Sequence, residues 1–425
     1  MKPVPLINLA ADCTAGEDLM PVDAAFAAIV GLASPLGDVE ILAVREARGR
    51  ILAKPVTTRT ALPRFDHSAV DGYGLSVADL EQQPPFNLLV DAEVAAGGMP
   101  RRALQAGSAI RLFTGAPVPA DVAGVVLEER CRRNGSSVAV SVRVPAGANI
   151  RRRGEDVPEG ATIIEAGAVL DARHVAMLTA AGVPTVGVAR RVRVAVLSNG
   201  NELVDAGGEP RDGQIYDANR PMLLALLSRA SIDAIDLGCH RDDPAVLARV
   251  FAQAASEADV VISSGGVAGS DADHVAKAVR LAGGAMRRFR LALKPGKPIL
   301  AGKIGDTPVL GLPGNPVAAM VNFLLFGRPL VSLVAGSAAA RPEGHAAVTA
   351  EPFGHASGRT EFVPVRVNGR LGDGRPVLCK LGRGGSARLR PMVLADGLAE
   401  LDARVADLPA GEPVRFHSFA AAFAL

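Results

Sequence analysis

The chain is 425 residues long, more than one ordinary hydrophobic core holds at about 100–200 residues per domain, so two to four units are expected. A composition of 49% hydrophobic, 21% charged and 4% aromatic residues excludes disorder over most of the length and fits a soluble globular protein. Lys and Arg total 46 against 44 acidic residues, and a net charge of +2 supplies no chain-wide reason to bind nucleic acid or an anionic membrane.

The opening segment MKPVPLINLAADCTAGED carries acidic residues without the charged-then-apolar order of a signal peptide, so the cytoplasm is the expected location. From Pro21, PVDAAFAAIVGLA has helical spacing, and DARHVAMLTAAG at Asp171 to Gly182 is a second helical segment. From about Val56 to Val144 the chain consists of short β-branched or alternating runs (FNLLV, SAIRLF, GVVLEER, SVAVSVRV) broken by Gly and Pro, which predicts an all-β insert. The helical segments on either side are then expected to form one discontinuous domain.

From Arg191 the pattern becomes regular. VRVAVLS reads as a strand, PMLLALLSRA as a helix and IDAIDLG as a strand; DDPAVLARVFAQAA follows as a helix, with Asp243 as N-cap and Pro244 at its first position. DVVISS, a glycine loop, a helix, the strand-like FRLAL, the loop KPGKP, strand PVLGL and loop PGNP then lead into VAAMVNFLL. Strands alternating with helices of this length predict a parallel α/β sheet with right-handed crossovers, and ligands in such sheets bind beyond the carboxyl ends of the strands. SNGNE, SSGGVAGSDAD and LPGNP all fall there. The most apolar run, Val321 to Val334, is interrupted by Arg328 and Pro329 and is read as too short to span a bilayer. After about Ala340 the texture is again β (FVPVRV, PVLCKL, PVRFHSF), as in a small barrel or sandwich.

Cys13, Cys131, Cys239 and Cys379 form neither a CxxC nor a nearby Cys/His pair, and read as reduced structural thiols. The arginine clusters at 151–153, 190–193 and 287–290 read as solvated faces. The loop SSGGVAGSDADHV, Ser263 to Val275, has neither a Walker sequence nor a dinucleotide fingerprint; its amides suit an anion, and Ser270 with Asp273 equally suits a capping box. In KPGKP, Lys294 and Lys297 bracket a turn that suits an oxyanion or is merely solvated. LPGNP reads as a rigid corner with Asn315 capping the helix before Pro316. Asp71, Asp156, Glu202 and Asp217 sit in loops rich in glycine, where a carboxylate holds Mg²⁺ or caps a turn.

Taken together and in order, PRFDHSAVDGYG, TGAPVPADVAGVVLEE, NIRRRGEDVPEG, GQIYDANR, RDDP, SSGGV followed by Asp273, KPGKP and LPGNPV resemble the molybdopterin molybdenumtransferase family, the MoeA proteins and the E domain of gephyrin. The resemblance runs from about Val22 to the end. It implies a multidomain α/β plus β architecture: a discontinuous mixed domain (1–56 plus 150–189), a β-rich inserted domain (57–149), a central three-layer α/β domain with a mostly parallel sheet (190–338) and a C-terminal β barrel (339–425).

It further implies a homodimer whose cleft is completed by the partner's insert. The implied reaction is cleavage of adenylylated molybdopterin, with AMP leaving and molybdenum from molybdate ligated by the dithiolene sulfurs, in the presence of Mg²⁺. By motif match, Asp71, Thr114, Asp156, Glu202, Asp242 and Asp273 form the catalytic set, with Glu202, Asp242 and Asp273 toward the metal. Ser264, Gly265, Gly266, Lys294, Lys297, Pro313, Gly314, Asn315 and Pro316 are carried as the substrate-binding set. A molybdopterin adenylyltransferase and a cofactor-delivery protein are the implied partners, with neither nucleic acid nor membrane.

The chain also departs from the family pattern. Asn199-Gly200-Asn201-Glu202-Leu203 stands where the family usually has TGDEL, so a hydroxyl and a carboxylate are replaced by amides, which predicts a weaker metal site. The usual VSxGxxD reads VAGSDAD, with Ala268 for Ser and Ser270 for Gly. These departures motivate a competing expectation, a non-catalytic paralogue that binds or delivers the cofactor. A third is a molybdopterin adenylyltransferase, which would use ATP on a similar α/β domain.

Overall fold

The computed structural model describes residues 19–99, 103–267, 274–382 and 387–420; Cys13 and the loop residues Ser270, Asp271 and Asp273 lie outside them. The α/β portion begins with β1 (Val192–Asn199), which is buried at every position but Arg193, as expected of a strand covered on both faces. It continues through α1 (Asn219–Leu226), β2 (Ile232–His240), α2 (Pro244–Glu257), β3 (Val260–Ser264), α3 (His274–Leu281), β4 (Ala285–Arg290), β5 (Pro298–Ile304), β6 (Thr307–Leu312) and α4 (Pro316–Asn322).

The sheet order is β2-β1-β3-β6-β5-β4, parallel from β2 to β6 and antiparallel for β5 and β4. The sheet is thus mostly parallel, as expected, with β5 alone running against its neighbours at this edge. PILAGKI, directly after KPGKP, is a strand in its own right, and a tight Gly305-Asp306 turn folds it onto β6, so no helix is needed between them. The strand expected at FRLAL starts earlier, at Ala285.

Alternate residues of the central strands feed two cores. Val194 and Val196 pack with Phe323, Phe326 and Leu330 on one face; Ala195 and Leu197 pack with Leu247, Phe251 and Val275 on the other. Asp243 caps α2 as expected, accepting from Ala245 N at 2.8 Å and Val246 N at 3.3 Å. Beyond α4 the helix does not stop: a π turn at Phe323–Gly327 carries it into a further helix, Arg328–Val334. This corrects the reading of the run as too short. The 19-residue run Pro316–Val334, with hydropathy 1.8, has the length and composition to cross a membrane, yet 78% of its apolar stretch is buried against the chain's own sheet. The burial accounts for the apolarity.

On the N-terminal side, Val39–Ala43 pairs antiparallel with Thr185–Ala189, and Val56–Thr57 with Thr162–Ile164, so the segments flanking the insert are hydrogen-bonded to each other. The insert is a six-stranded sheet running from Gly72 to Val140. It also holds a short helix, Val77–Leu80, started by Ser76 accepting from Asp79 N, so it is not wholly β. At the C-terminal end, Thr360–Arg370 pairs with both Pro376–Lys380 and Gly397–Leu401. Through His345–Thr349 and Pro413–Ser418 those strands close into a five-stranded barrel around Phe353, Val363, Val365 and Leu378.

One ion pair fastens the N-terminal portion to the sheet. Arg190 grips Asp259, just before β3, with two hydrogen bonds of 2.8 and 2.7 Å and reaches Asp38 at 2.8 Å, while Arg193 N donates to Asp259. Arg190, expected on a solvated face, is therefore a tie. Burial opposes ionisation of Asp259, but Arg190 and the Arg193 amide outweigh it and hold the carboxyl below its usual range. A depressed carboxylate stabilises the fold above the unfolded value and loses that contribution as pH falls through the folded value. Asp259→Asn is expected to destabilise the protein at pH 7 by about 1.5–3 kcal/mol. In urea titrations at stepped pH, the gap to wild type should close below about pH 4.

Candidate functional site

Three loops converge at the carboxyl edge of the sheet. The first follows β1. Asn199 is buried at the strand end, its Nδ2 donates to Asp242 Oδ1 at 2.7 Å, and its Oδ1 is buried without a hydrogen-bond partner among the described residues. Asp242 N in turn donates to Asn201 Oδ1 at 3.2 Å, and Gly200 N to His240 O at 3.0 Å. Glu202 is exposed, with its carboxylate folded back over Gly200. Glu202 and Asp242 thus belong to adjoining loops with two amides between them. Among the described residues no group of three or more His, Cys, Asp or Glu side chains could hold a metal ion, and Asp273 lies outside those residues.

The second loop crosses the first at contact distance. Gly265 and Gly266, with φ of 105° and 66°, lie over Asn199: a Cβ on Gly265 would stand 2.2 Å from Asn199 O, and one on Gly266 2.5 Å from Asn199 Nδ2. Glycine is required at both positions for space as well as for conformation. Ser264 is buried, and its Oγ donates to Pro313 O at 3.2 Å.

The third loop, Leu312 to Pro316, is fixed by a residue of GQIYDANR outside the expected catalytic and binding sets. Asn219, at the start of α1, donates from Nδ2 to Ser264 Oγ and to Gly314 O, both at 2.8 Å. Next to it Asp217 is buried, taking hydrogen bonds from Ser198 Oγ, Asn219 N and the Arg220 backbone and guanidinium. It is a helix-start cap, the alternative raised for it from sequence. Asn315 occupies the N-cap position of α4, but its side chain makes no capping hydrogen bond, which corrects that expectation; Pro316 supplies the first helical residue. Gly314 and Asn315 are exposed.

KPGKP joins this edge to the barrel. Gly296, at φ 104°, passes so close to Asn322 of α4 that a Cβ would stand 1.9 Å from its Nδ2. Leu293 and Lys294 pair in parallel with Thr360 and Glu361. Lys294 Nζ forms an ion pair with Glu361 Oε1 at 2.9 Å, so the ammonium expected to stand alone is already engaged. Burial would raise the Glu361 carboxyl, yet Lys294 and His355 hold it below its usual range. Lys297 is half-buried nearby in sequence.

The insert supplies a separate pair. Thr114 donates to Asp71 Oδ1 from its backbone N–H at 2.7 Å and its hydroxyl at 2.8 Å, and these bonds hold the Asp71 carboxyl below its ordinary value. Asp156 is exposed, and its N–H donates to Leu62 O. Among the described residues no hydrogen bond or ion pair joins Asp71, Thr114 or Asp156 to the carboxyl edge of the sheet. The thiols of Cys131 and Cys239 are each pushed up to about 11, chiefly by burial, as inert structural cysteines are.

Gly265→Ala is expected to lower stability by roughly 1–3 kcal/mol through backbone strain and collision with Asn199. Gly314→Ala, whose Cβ would meet nothing nearer than 3.8 Å, should stay within about 0.5 kcal/mol of wild type in the same urea titration.

Comparison with known proteins bears on what this edge handles. Residues 20–182 match the family description "MoeA N-terminal region (domain I and II)", 195–332 match "Probable molybdopterin binding domain", and 346–419 match "MoeA C-terminal region (domain IV)". The molybdopterin molybdenumtransferase of Haemophilus influenzae is 36% identical over 325 residues, which is 76% of this chain and 80% of that protein. Molybdopterin molybdenumtransferase 2 of Mycobacterium tuberculosis is 32% identical over 375 residues, 86% of this chain and 91% of its own. The crystal structure of the molybdopterin biosynthesis MoeA protein from Pyrococcus horikoshii superposes with a TM-score of 0.80 at 27% identity, covering 94% of this chain and 99% of that one. The chain belongs to the molybdopterin molybdenumtransferase family, the MoeA proteins of molybdenum cofactor biosynthesis.

Proposed function

We propose that the chain transfers molybdenum from molybdate to adenylylated molybdopterin as a Mg²⁺-dependent homodimer in the cytoplasm. Water cleaves the pyrophosphate link and AMP leaves; the two dithiolene sulfurs then become ligands of molybdenum as one oxo group of molybdate departs as water with the two thiol protons. The observation that carries this reading is the carboxyl edge of the sheet: three loops locked together by Asn199, Asn219 and two obligatory glycines, with Lys294 beside them at a half-exposed position. The amides and prolines of 264–266 and 313–316 form a rigid wall for the pterin phosphate, and Lys294 and Lys297 supply positive charge for molybdate. Asp71 and Thr114 of the insert, with Asp156 of the discontinuous domain just beyond it, act across the dimer, on the partner's cleft.

Glu202 and Asp242, with Asp273, are the residues that would hold Mg²⁺. Their donors are all oxygen, as that ion requires, and the buried Asn199 Oδ1 without a hydrogen-bond partner adds a neutral donor beside them. When bound, the ion offsets phosphate charge. Asp242 is held by Asn199 and Asn201, so its position is fixed before any ligand arrives. The subunit is divided at about residues 56, 150, 190 and 339; the insert and the barrel each have a core of their own, while the core on one face of the sheet also takes in Val22, Ile29 and Phe362 from across those divisions. A molybdopterin adenylyltransferase upstream and a cofactor-delivery protein downstream are the proposed partners.

Purified protein given adenylylated molybdopterin, Mg²⁺ and molybdate is expected to release AMP with molybdate-dependent turnover. Asp242→Asn should lower kcat roughly 10–100-fold. Two outcomes would replace this reading. Tight pterin binding without AMP release would favour a non-catalytic carrier, which the two neutral amides at Asn199 and Asn201 make the second reading. ATP consumption with free molybdopterin and no need for molybdate would favour an adenylyltransferase.

A further inference from the structure

The barrel contributes a buried carboxylate to the loop that carries Lys294. Glu361 is 4% exposed, and its two oxygens are used separately: Oε1 meets Lys294 Nζ at 2.9 Å and Oε2 meets His355 Nδ1 at 3.0 Å. His355 is itself buried, and its Nε2 lies 3.1 Å from Asp402 O. The loop beneath it is clipped by Asp407, whose Oδ1 accepts from His355 N at 3.1 Å and whose N donates to His355 O at 3.0 Å. Lys380 adds a second cationic field at Glu361.

A charge so placed is costly to bury and is retained only with its hydrogen bonds satisfied. Here both oxygens are satisfied, and one of them by a side chain 48% exposed. An ammonium has three N–H donors. Glu361 takes one, and the half-exposed ammonium keeps donors for a ligand, held in place by the ion pair at the end of a flexible four-carbon stem.

We propose that Glu361, braced by His355, is a positioning residue for oxyanion capture: it holds the Lys294 ammonium on the barrel side of the cleft and so couples barrel docking to molybdate affinity. This rests on Lys294 meeting the oxyanion, the reading given above. Glu361 does not touch substrate; it acts through Lys294.

The test is molybdate binding by calorimetry together with steady-state AMP release, on full-length wild type, Lys294→Ala, Glu361→Gln, Glu361→Asp and the Lys294→Ala/Glu361→Gln double variant. Glu361→Gln is expected to raise the Kd and KM for molybdate roughly tenfold, the scale of losing an outer-shell partner, with the KM for the adenylylated pterin within about twofold. Glu361→Asp, which keeps the charge one methylene further back, should recover part of the affinity. The double variant should bind no more weakly than Lys294→Ala alone. Urea titration of each variant reports folding, and Glu361→Asp carries the test if Glu361→Gln is not folded. If Lys294→Ala leaves molybdate binding unchanged, the oxyanion role of Lys294 falls, and this proposal with it. If Lys294→Ala weakens binding while folded Glu361→Gln and Glu361→Asp match wild type, or if all substrates weaken alike, only the positioning role is overturned.

Discussion

One buried carboxamide holds the functional edge of this molecule together. Asn219 reaches from the first turn of α1 to Ser264 at the end of β3 and to Gly314 beyond β6, so one side chain spans the gap between a helix and two loops. Backbone carbonyls at strand ends have no ladder to satisfy them, and a buried one left unpaired carries the full cost of desolvation. Asn219 satisfies Gly314 O in that way. With Ser264 in turn donating to Pro313 O, the loops cannot shift independently of one another. The crossing of Gly265 over Asn199 depends on this arrangement, because two backbones that close together tolerate no slack.

Charge is distributed around the edge by the same logic. Arg220 is buried among Asp205, Asp217 and Asp236, Arg190 is clamped between Asp38 and Asp259, and Glu361 lies between Lys294 and His355. Each of these three charges meets its opposite in the protein. Glu202 and Asp242 differ: among the described residues neither forms an ion pair, and Asp242 is held by amides, so both are acceptors for something from outside. Asn201 and Asn199 lower the negative charge there without removing oxygen donors. Replacing a carboxylate by an amide weakens the pull on a cation but keeps the shape of the site.

Much of the fold was legible from periodicity. VRVAVLS and DVVISS announced strands buried on both faces, and the Asp243-Pro244 start of α2 announced itself by cap chemistry. PILAGKI did not, because it abuts KPGKP and its pairing is decided by a two-residue turn that leaves no helical spacer to mark it. The continuation of α4 through a π turn was hidden by Arg328, which interrupts the apolar run, and by Pro329, which usually breaks helices; Pro329 falls in the first turn of the next segment, where a missing N–H costs little. Asn219 and Glu361 left no local trace at all. Asn219 acts on a carbonyl 95 positions away, and Glu361 on a lysine distant in the chain that only strand pairing brings beside it, so their roles exist only once the chain has folded. The glycines and lysines of the loops were visible from sequence because they are adjacent in it.

The strand Thr360–Arg370 closes the barrel and, at its first residues, lies beside Leu293 and Lys294. Side chains along a strand alternate between faces, so a slip of one position would turn Glu361 away from Lys294 and bring Thr360 or Phe362 in its place. The barrel therefore works as a gauge: its closure fixes how far along the strand the contact falls. An insertion in a distant barrel hairpin that left the pairing intact would be silent at the cleft. One that moved the pairing by a single residue would be felt there at once, although no atom of the cleft had been changed.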